Sequence, residues 1–372
     1  MEYKGLEEVT NNKISITKFQ LFFLVIESQI GIGLLSLPNV VQDSAKGDGW
    51  ISIILAGIGV QLLLIIYWLL LRRFPNETFT NITEKILGRY LAKIVSYFIY
   101  FYFIMNASLL TILTVKTINL HLLPLTPSWV ISFIILSSSI YLTVSNLRII
   151  ARFFVLTSSL IIVMLGVSLL TYTIPKEVQF ILPVGDSGIK EILIGINGAL
   201  ISMVGFEVVL FIYAFVIHNK KGMLKTISLA NIFVTTIYTY FVFLCLITFS
   251  PDQLSQLRDP VLFLFRILSF RLIERIDFIF LSIWIVPMIT SIIIYIFLAS
   301  KSISGEENSY KKKVVINGML IYLISLIPHR DEIINSFTQY VSYLSYTVIM
   351  VIPLILLIVS LIFKKHEMGE TG

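Results

Sequence analysis

The chain has 372 residues, 57% of them hydrophobic and only 13% charged, with a mean hydropathy of +0.91. Soluble domains run near ~45–50% apolar and ~25% charged, so this composition excludes a soluble enzyme or binding module. The net charge of +6 is not a nucleic-acid signature, because the basic residues are sorted by loop, and the single cysteine, Cys245, excludes an internal disulfide.

Ten apolar stretches approach or exceed the ~17–25 residues that a helix needs to cross ~30 Å of hydrocarbon. The ~10-residue alternation of a membrane barrel is absent. The first stretch, 19–41, contains IESQIGIGLLSLP, with Glu27 ahead of Gly31, Ile32 and Gly33. Each glycine in a helix costs ~1 kcal/mol relative to alanine, and two at spacing i, i+2 predict an unwound turn. Such a turn is tolerated in a membrane only where its backbone is buried in protein or lines a cavity. The half-helix beginning near position 34 aims its positive end at the break and suits a carboxylate. The half ending there offers carbonyls that suit an ammonium or a cation. Close helix packing is the alternative use of these glycines.

A second span is expected at 50–71, followed by PNETFTNITEKILGRY (75–90), an amphipathic segment for the inner membrane surface. The third, 91–123, would be roughly 50 Å long as a helix, so it tilts or extends beyond the bilayer. It brings Tyr100, a candidate pocket wall, and Asn106 to membrane depth, and it also holds Lys116. Spans at 128–145 and 150–173 complete a first group of five.

The sixth span, 190–217, contains SMVGFE, with Met203, Gly205, Phe206 and Glu207 at the position that matches the break in span one. A charged residue at a helix centre costs about +2.5 to +3.5 kcal/mol on insertion scales, so buried acids are usually functional or paired. Two roles are open for Glu207: gating or support of a site, and a plain structural hydrogen bond. Glu27 reads first as structural, with cation binding or gating as its alternative. After 226–248 comes PVLFLFRILSFRLIER (260–275), an apolar segment with Arg266, Arg271 and Arg275, read as an interfacial helix or a docking surface. Span 276–299 carries VPMITSIIIY, in which Thr290 and Ser291 set two hydroxyls beside Pro287. They can hold a ligand or a sodium-sized cation, or bond back to carbonyls one turn earlier. Spans 314–327 and 340–363 close the series.

Most of the 28 basic residues fall in alternate loops, among them Arg72, Arg73, Lys85, Arg89, Lys220, Lys221, Lys225 and Lys311–Lys313. This positive-inside pattern places both termini in the cytoplasm, and no cleaved signal segment is expected. Ten spans divide into five plus five of opposite topology. The fold expected is therefore all-α and integral to the membrane, one domain made of an inverted repeat of 14–173 and 189–364 with helices 1 and 6 broken at the midplane. Nothing points to an enzyme. The four histidines show no metal-ligand spacing, no GxxxxGK[ST] loop exists, and no cofactor is expected.

The GIGLLSLP and MVGFE runs resemble the amino acid–polyamine–organocation transporter superfamily, with its paired breaks and LeuT-like fold. More closely, GIGLLSLPNVVQDSAKGDGWISIILAG (31–57), RRFPNETFTNITEKILGRYLAK (72–93), LPLTPSW (123–129) and NGALISMVGFE (197–207) resemble the B subunits of spore germinant receptors. That resemblance implies a nutrient-sensing subunit in the spore inner membrane, its termini on the spore-core side. It would work with an A subunit and a lipoprotein C subunit, among membrane lipid and without nucleic acid, and bind a small molecule such as an amino acid. It implies a ligand site at Gly31, Ile32, Gly33, Tyr100, Met203, Gly205, Phe206, Glu207 and Thr290. Glu27, Thr290 and Ser291 are implied for a cation or gating role, the Thr–Ser pair being similar to the sodium-contacting pair of sodium-coupled relatives. Span 5 has no lysine of the kind that proton-linked relatives use, which puts that coupling mode in doubt. An ion-coupled secondary amino acid transporter is the alternative to a receptor.

Overall fold

The structure is a computed structural model that describes residues 15–31, 33–216, 222–268, 275–303, 309–327 and 330–366. Ile32, the basic pair Lys220–Lys221 and Arg271 lie outside the described residues. Regular structure among them is helical, apart from one parallel bridge between Ile16 and Val216.

Helix α1 (Lys18–Gln29) starts at a capping box. Gln20 N–H donates to the Thr17 hydroxyl at 3.2 Å, and Thr17 N–H returns a bond to the Gln20 side chain at 2.9 Å. The helix stops where Ile30 turns extended, and α2 (Gly33–Ala45) begins three residues later. Helix α3 (Gly49–Leu71) leads to α4 (Phe79–Leu87), which buries Phe79, Ile82, Thr83 and Ile86 and is capped by Thr78. Gly88, at φ +80°, turns the chain directly into the 33-residue α5 (Arg89–His121). Helices α6 (Ser128–Thr143), α7 (Leu147–Thr157) and α8 (Ser159–Ser168) follow.

The second half begins with α9 (Ile189–Ser202), which ends in turns over 203–207 before the short α10 (Val208–Ile212). Then come α11 (Met223–Leu246), α12 (Pro251–Gln256), α13 (Pro260–Arg266) and α14 (Ile276–Ser302). Helix α14 continues through Pro287 without stopping. Helices α15 (Tyr310–Ser325) and α16 (Asp331–Tyr346) precede a π-helical turn at Thr347–Val351, and α17 (Ile352–Ile362) is the last helix among the described residues. Tyr67 on α3 donates to the Ile349 carbonyl within that π turn at 2.6 Å.

Among the described residues, six helical runs are long and apolar enough to cross a membrane: Gly33–Leu71, Arg89–His121, Leu147–Thr173, Met223–Leu246, Ile276–Ser302 and Asp331–Ile362. The expected spans 19–41 and 190–217 are each divided between two helices, and 128–145 and 314–327 appear as 16-residue helices. Helix α14 packs along α5, and α11 packs along α1 and α3, so elements of the two halves interleave around one core. The segment expected at an interface or a docking surface differs over its described part: α13 buries Val261, Leu262, Leu264 and Phe265 inside the protein. Phe265 stacks on Phe280 of α14 at 3.9 Å, because this helix is apolar on more than one face.

Candidate functional site

The two helix interruptions meet, backbone against backbone. Gly205 adopts φ +130°, a conformation closed to most side chains. A Cβ on it would lie 2.0 Å from the Ser28 carbonyl oxygen. On the other side, a Cβ on Gly33 would lie 2.8 Å from the Ser202 carbonyl oxygen. Glycine is thus required at each crossing by space, and at Gly205 also by dihedral angle.

Three polar arrangements hold this junction. The Tyr238 hydroxyl of α11 lies 2.8 Å from the Gln29 carbonyl and 3.1 Å from the Ser202 carbonyl, the terminal residues of α1 and α9. Free carbonyls at two helix ends therefore share one donor. The Gln29 side-chain amide crosses to the Met203 carbonyl at 3.2 Å. Glu207 is fully buried and accepts three bonds: Tyr102 and Tyr295 hydroxyls on Oε1, each at 2.7 Å, and Gly205 N–H on Oε2 at 2.8 Å. Tyr102 comes from α5 and Tyr295 from α14, so this carboxylate ties the turn of one half to the two longest helices. A buried carboxylate needs such donors to offset its lost hydration.

Glu27 is also buried, on α1 one turn before the first interruption. Its Oε2 lies 2.8 Å from the Thr290 hydroxyl, and its backbone carbonyl lies 3.2 Å from the Ser291 hydroxyl. Both hydroxyls also lie within 3.0 Å of the Pro287 carbonyl, so the back-bonding and cross-helix arrangements coexist. Glu27 Oε1 is buried and faces the Thr157 and Ser158 hydroxyls where α7 meets α8, without a close hydrogen bond to either.

A cavity of about 780 Å³ opens above the junction. Of the residues singled out from the sequence, Gly31, Gly33, Asn106, Lys116 and Ser291 line it. Met203, Gly205, Phe206, Glu207, Thr290 and Glu27 stand behind the lining as buried support, and Phe206 stacks on Tyr67 at 5.9 Å. Tyr100 lies elsewhere, donating to Asn317 on α15 at 2.8 Å, while Asn317 donates to Ser300 on α14 at 2.9 Å. Sequence reasoning missed Gln29, Ser202, Tyr295 and Ser345 in the lining. A buried acid demands donors, so the tyrosines of the apolar spans were the available signal for Tyr295.

The cavity separates charge from depth. Its charged lining residues are Lys116, Arg258, Asp259 and Asp331. Lys116 lies ten residues, or ~15 Å of helix, along α5 from Asn106, which lines the deeper part. Near the junction the polar groups are uncharged, Ser28, Gln29, Asn106, Ser202, Ser291 and Tyr295 among them, with Val204, Ile201 and Leu109 as apolar wall. Such a floor accommodates a small molecule that brings its own balanced charges: its lining presents no charged side chain, and the Glu27 and Glu207 carboxylates stand behind it, engaged by hydroxyl donors.

Comparison with known proteins fits this architecture. Residues 15–334 match the sequence family described as spore germination protein. Spore germination protein GerQB of Bacillus cereus is 25% identical over 313 residues, covering 84% of this chain and 85% of that protein. Spore germination protein YndE of Bacillus subtilis (strain 168) is 27% identical over 326 residues, covering 85% and 88%. Among solved structures, MhsT in complex with L-phenylalanine aligns over 95% of this chain and 90% of that one, with a TM-score of 0.68 at 13% identity. A sodium-coupled sialic acid symporter in a substrate-bound outward-open state aligns over 90% and 77%, with a TM-score of 0.67 at 12% identity. At these identities the structural likeness carries the fold, which is the LeuT-type fold of an integral membrane protein and not that of an enzyme. The chain belongs to the spore germination protein family.

Proposed function

We propose that this protein is the membrane subunit of a spore germinant receptor and binds a small neutral zwitterion, an amino acid, in the cavity above the paired interruptions. One observation carries this: the cavity floor is built from the broken ends of α1 and α9, is uncharged, and keeps its charged residues at the far end. Helix-end amides and carbonyls supply both poles for a carboxylate and an ammonium. The ligand closes over backbone groups of both halves, so its occupancy biases how the halves sit. Partner A and C subunits in the spore inner membrane then read that bias. In this reading the chain spans the membrane ten times as an inverted repeat of 14–173 and 189–364, with the junction at the midplane and both termini on the core side. The sorted loop charges and the interleaved halves support it.

Binding of radiolabelled L-alanine, L-leucine and L-phenylalanine to the purified full-length chain in lipid nanodiscs tests the proposal. Val204→Trp, which fills the cavity, and Asn106→Leu, which removes a polar group from it, are each expected to weaken binding at least tenfold. Undiminished binding in both variants, or selective binding of sugars or of lysine and glutamate, would overturn it.

A second reading, an ion-coupled amino acid transporter, is favoured by the surroundings of Glu27. A buried carboxylate ringed by the Thr157, Ser158, Thr290 and Ser291 hydroxyls suits a sodium-sized cation or a proton. Uptake of labelled amino acid into proteoliposomes of this chain alone, collapsing with a sodium or proton gradient, would establish that reading against the receptor.

A further inference from the structure

Lys116 lies five residues before the C-terminal end of α5, at the rim of the central cavity. It donates to Asp331, the first residue of α16. Both residues line the central cavity, and both also line a second cavity of about 340 Å³ bounded by α5, α6, α15 and α16. The pair is therefore a partition between two spaces. Its side chains are 24% and 73% exposed, so it is a hydrated ion pair of low strength and is readily exchanged. Beyond it, the second cavity offers the Ser128, Ser132 and Ser325 hydroxyls, Asn119, and the half-exposed ring of Trp129. Arg258 and Asp259 complete the charged rim of the central cavity, and His121 on α5 lies 3.4 Å from Asp259.

We infer that Lys116 and Asp331 form a second binding station for a small zwitterion, at the rim and distinct from the central floor. The ligand carboxylate takes the place of Asp331 on Lys116, and the ligand ammonium takes the place of Lys116 on Asp331. Each charge exchanges one partner for another of the same sign, so none is left unpaired. The ligand side chain enters the second cavity beside Trp129. Occupying the station parts Lys116 from Asp331 and joins the two cavities. The station rests on the proposed ligand chemistry, and its test separates the two.

Equilibrium dialysis of the full-length chain in nanodiscs, with radiolabelled L-alanine, L-leucine and L-phenylalanine at low and high salt, reads the number of site classes. Two classes are expected for at least one probe. One is insensitive to salt and lost in Val204→Trp; the other is weaker, suppressed by salt and retained in Val204→Trp. Lys116→Gln and Asp331→Asn should each weaken the salt-sensitive class about tenfold, the effect of losing one charge-assisted contact. The exchange Lys116→Asp with Asp331→Lys should restore it, because a zwitterion binds in either direction. L-alaninamide, which has no carboxylate, should fail to compete there. A single salt-insensitive class in the wild-type chain would overturn the rim station and leave the central site standing. No binding of any probe would overturn both.

Discussion

Gly205 and Ser28 touch through their main chains: the position of a Gly205 Cβ falls 2.0 Å from the Ser28 carbonyl oxygen, and Gly205 holds φ +130°. The second interruption is therefore seated on the first, and the two cannot be altered independently. A methyl group on Gly205 meets rigid backbone, and the dihedral alone costs an L-residue ~1–3 kcal/mol. Gly205→Ala is expected to lower folded yield and thermal stability sharply.

The other glycines grade this expectation. Gly33→Ala places a Cβ 2.8 Å from the Ser202 carbonyl, so it should be harmful, though less than Gly205→Ala because α2 can shift. Gly31→Ala meets only the Ser291 hydroxyl at 3.7 Å, an ordinary contact, and should fold normally. Gly166→Ala on α8 has nothing within 4 Å and should be neutral or stabilising by up to ~1 kcal/mol. Fluorescence-detected size exclusion after a heating series ranks the four. An equal loss for Gly31→Ala and Gly205→Ala would refute the backbone-contact account.

Glu207 predicts an asymmetry among conservative substitutions. In Glu207→Gln the remaining carbonyl oxygen can still accept from Tyr102 and Tyr295, but the amide then turns an N–H toward the Gly205 N–H. Two donors face each other in a buried space, which costs ~1–3 kcal/mol. Tyr295→Phe and Tyr102→Phe each remove one of two donors to the same oxygen, and should cost less than Glu207→Gln. Thermal stability of the three variants checks the order, and Glu207→Gln as the mildest would contradict it.

The apolar periods, the loop charges and the two glycine-bearing stretches were all legible before any coordinates, because hydropathy and backbone propensity are local properties. Which side chains face the cavity was not. Gly31 and Gly33 line it, whereas Phe206 and Met203 turn into the core, and that depends on helix rotations fixed only by packing between halves. Tyr100 and Tyr102 stand two residues apart on α5, so they point to different faces. Tyr100 reaches Asn317 and Tyr102 reaches Glu207, and nothing in the local sequence distinguishes them. The burial of α13 was equally hidden, since an apolar segment with arginines reads the same on lipid as on protein.

The segment ahead of α4 should respond to acid. Glu77 accepts from Lys85 Nζ at 2.6 Å and from the Asn81 amide at 2.9 Å. These bonds, the one from Lys85 foremost, hold its carboxyl below the ordinary value of 4.5. A carboxyl whose folded value is depressed stabilises fully above its unfolded value, and that contribution is lost as pH falls through the folded value. Protease nicking across 75–88 should therefore be constant from pH 8 to about 5 and rise below about 4. Glu77→Gln should raise nicking modestly at neutral pH, by the ~0–1 kcal/mol of a surface pair, and should converge with wild type in acid. Nicking equal to wild type at pH 7 would remove Glu77 from the account.

Tyr238 and Tyr295 brace the junction from opposite sides, and their coupling tests whether the junction acts as one unit. Tyr238→Phe leaves the Gln29 and Ser202 carbonyls without their shared donor, at a cost of ~1–3 kcal/mol. Tyr295→Phe leaves Glu207 with Tyr102 and Gly205 N–H. The two tyrosines stand on α11 and α14 and have no partner atom in common, so independent roles would give additive losses. If the paired turns move together, the first substitution already loosens what the second would release. The double variant should then lose less than the sum, by at least ~0.5 kcal/mol. The same non-additivity should appear in amino acid affinity, since both turns contribute to the cavity floor. Strict additivity in both stability and affinity would mean that the two interruptions are separate features that happen to touch.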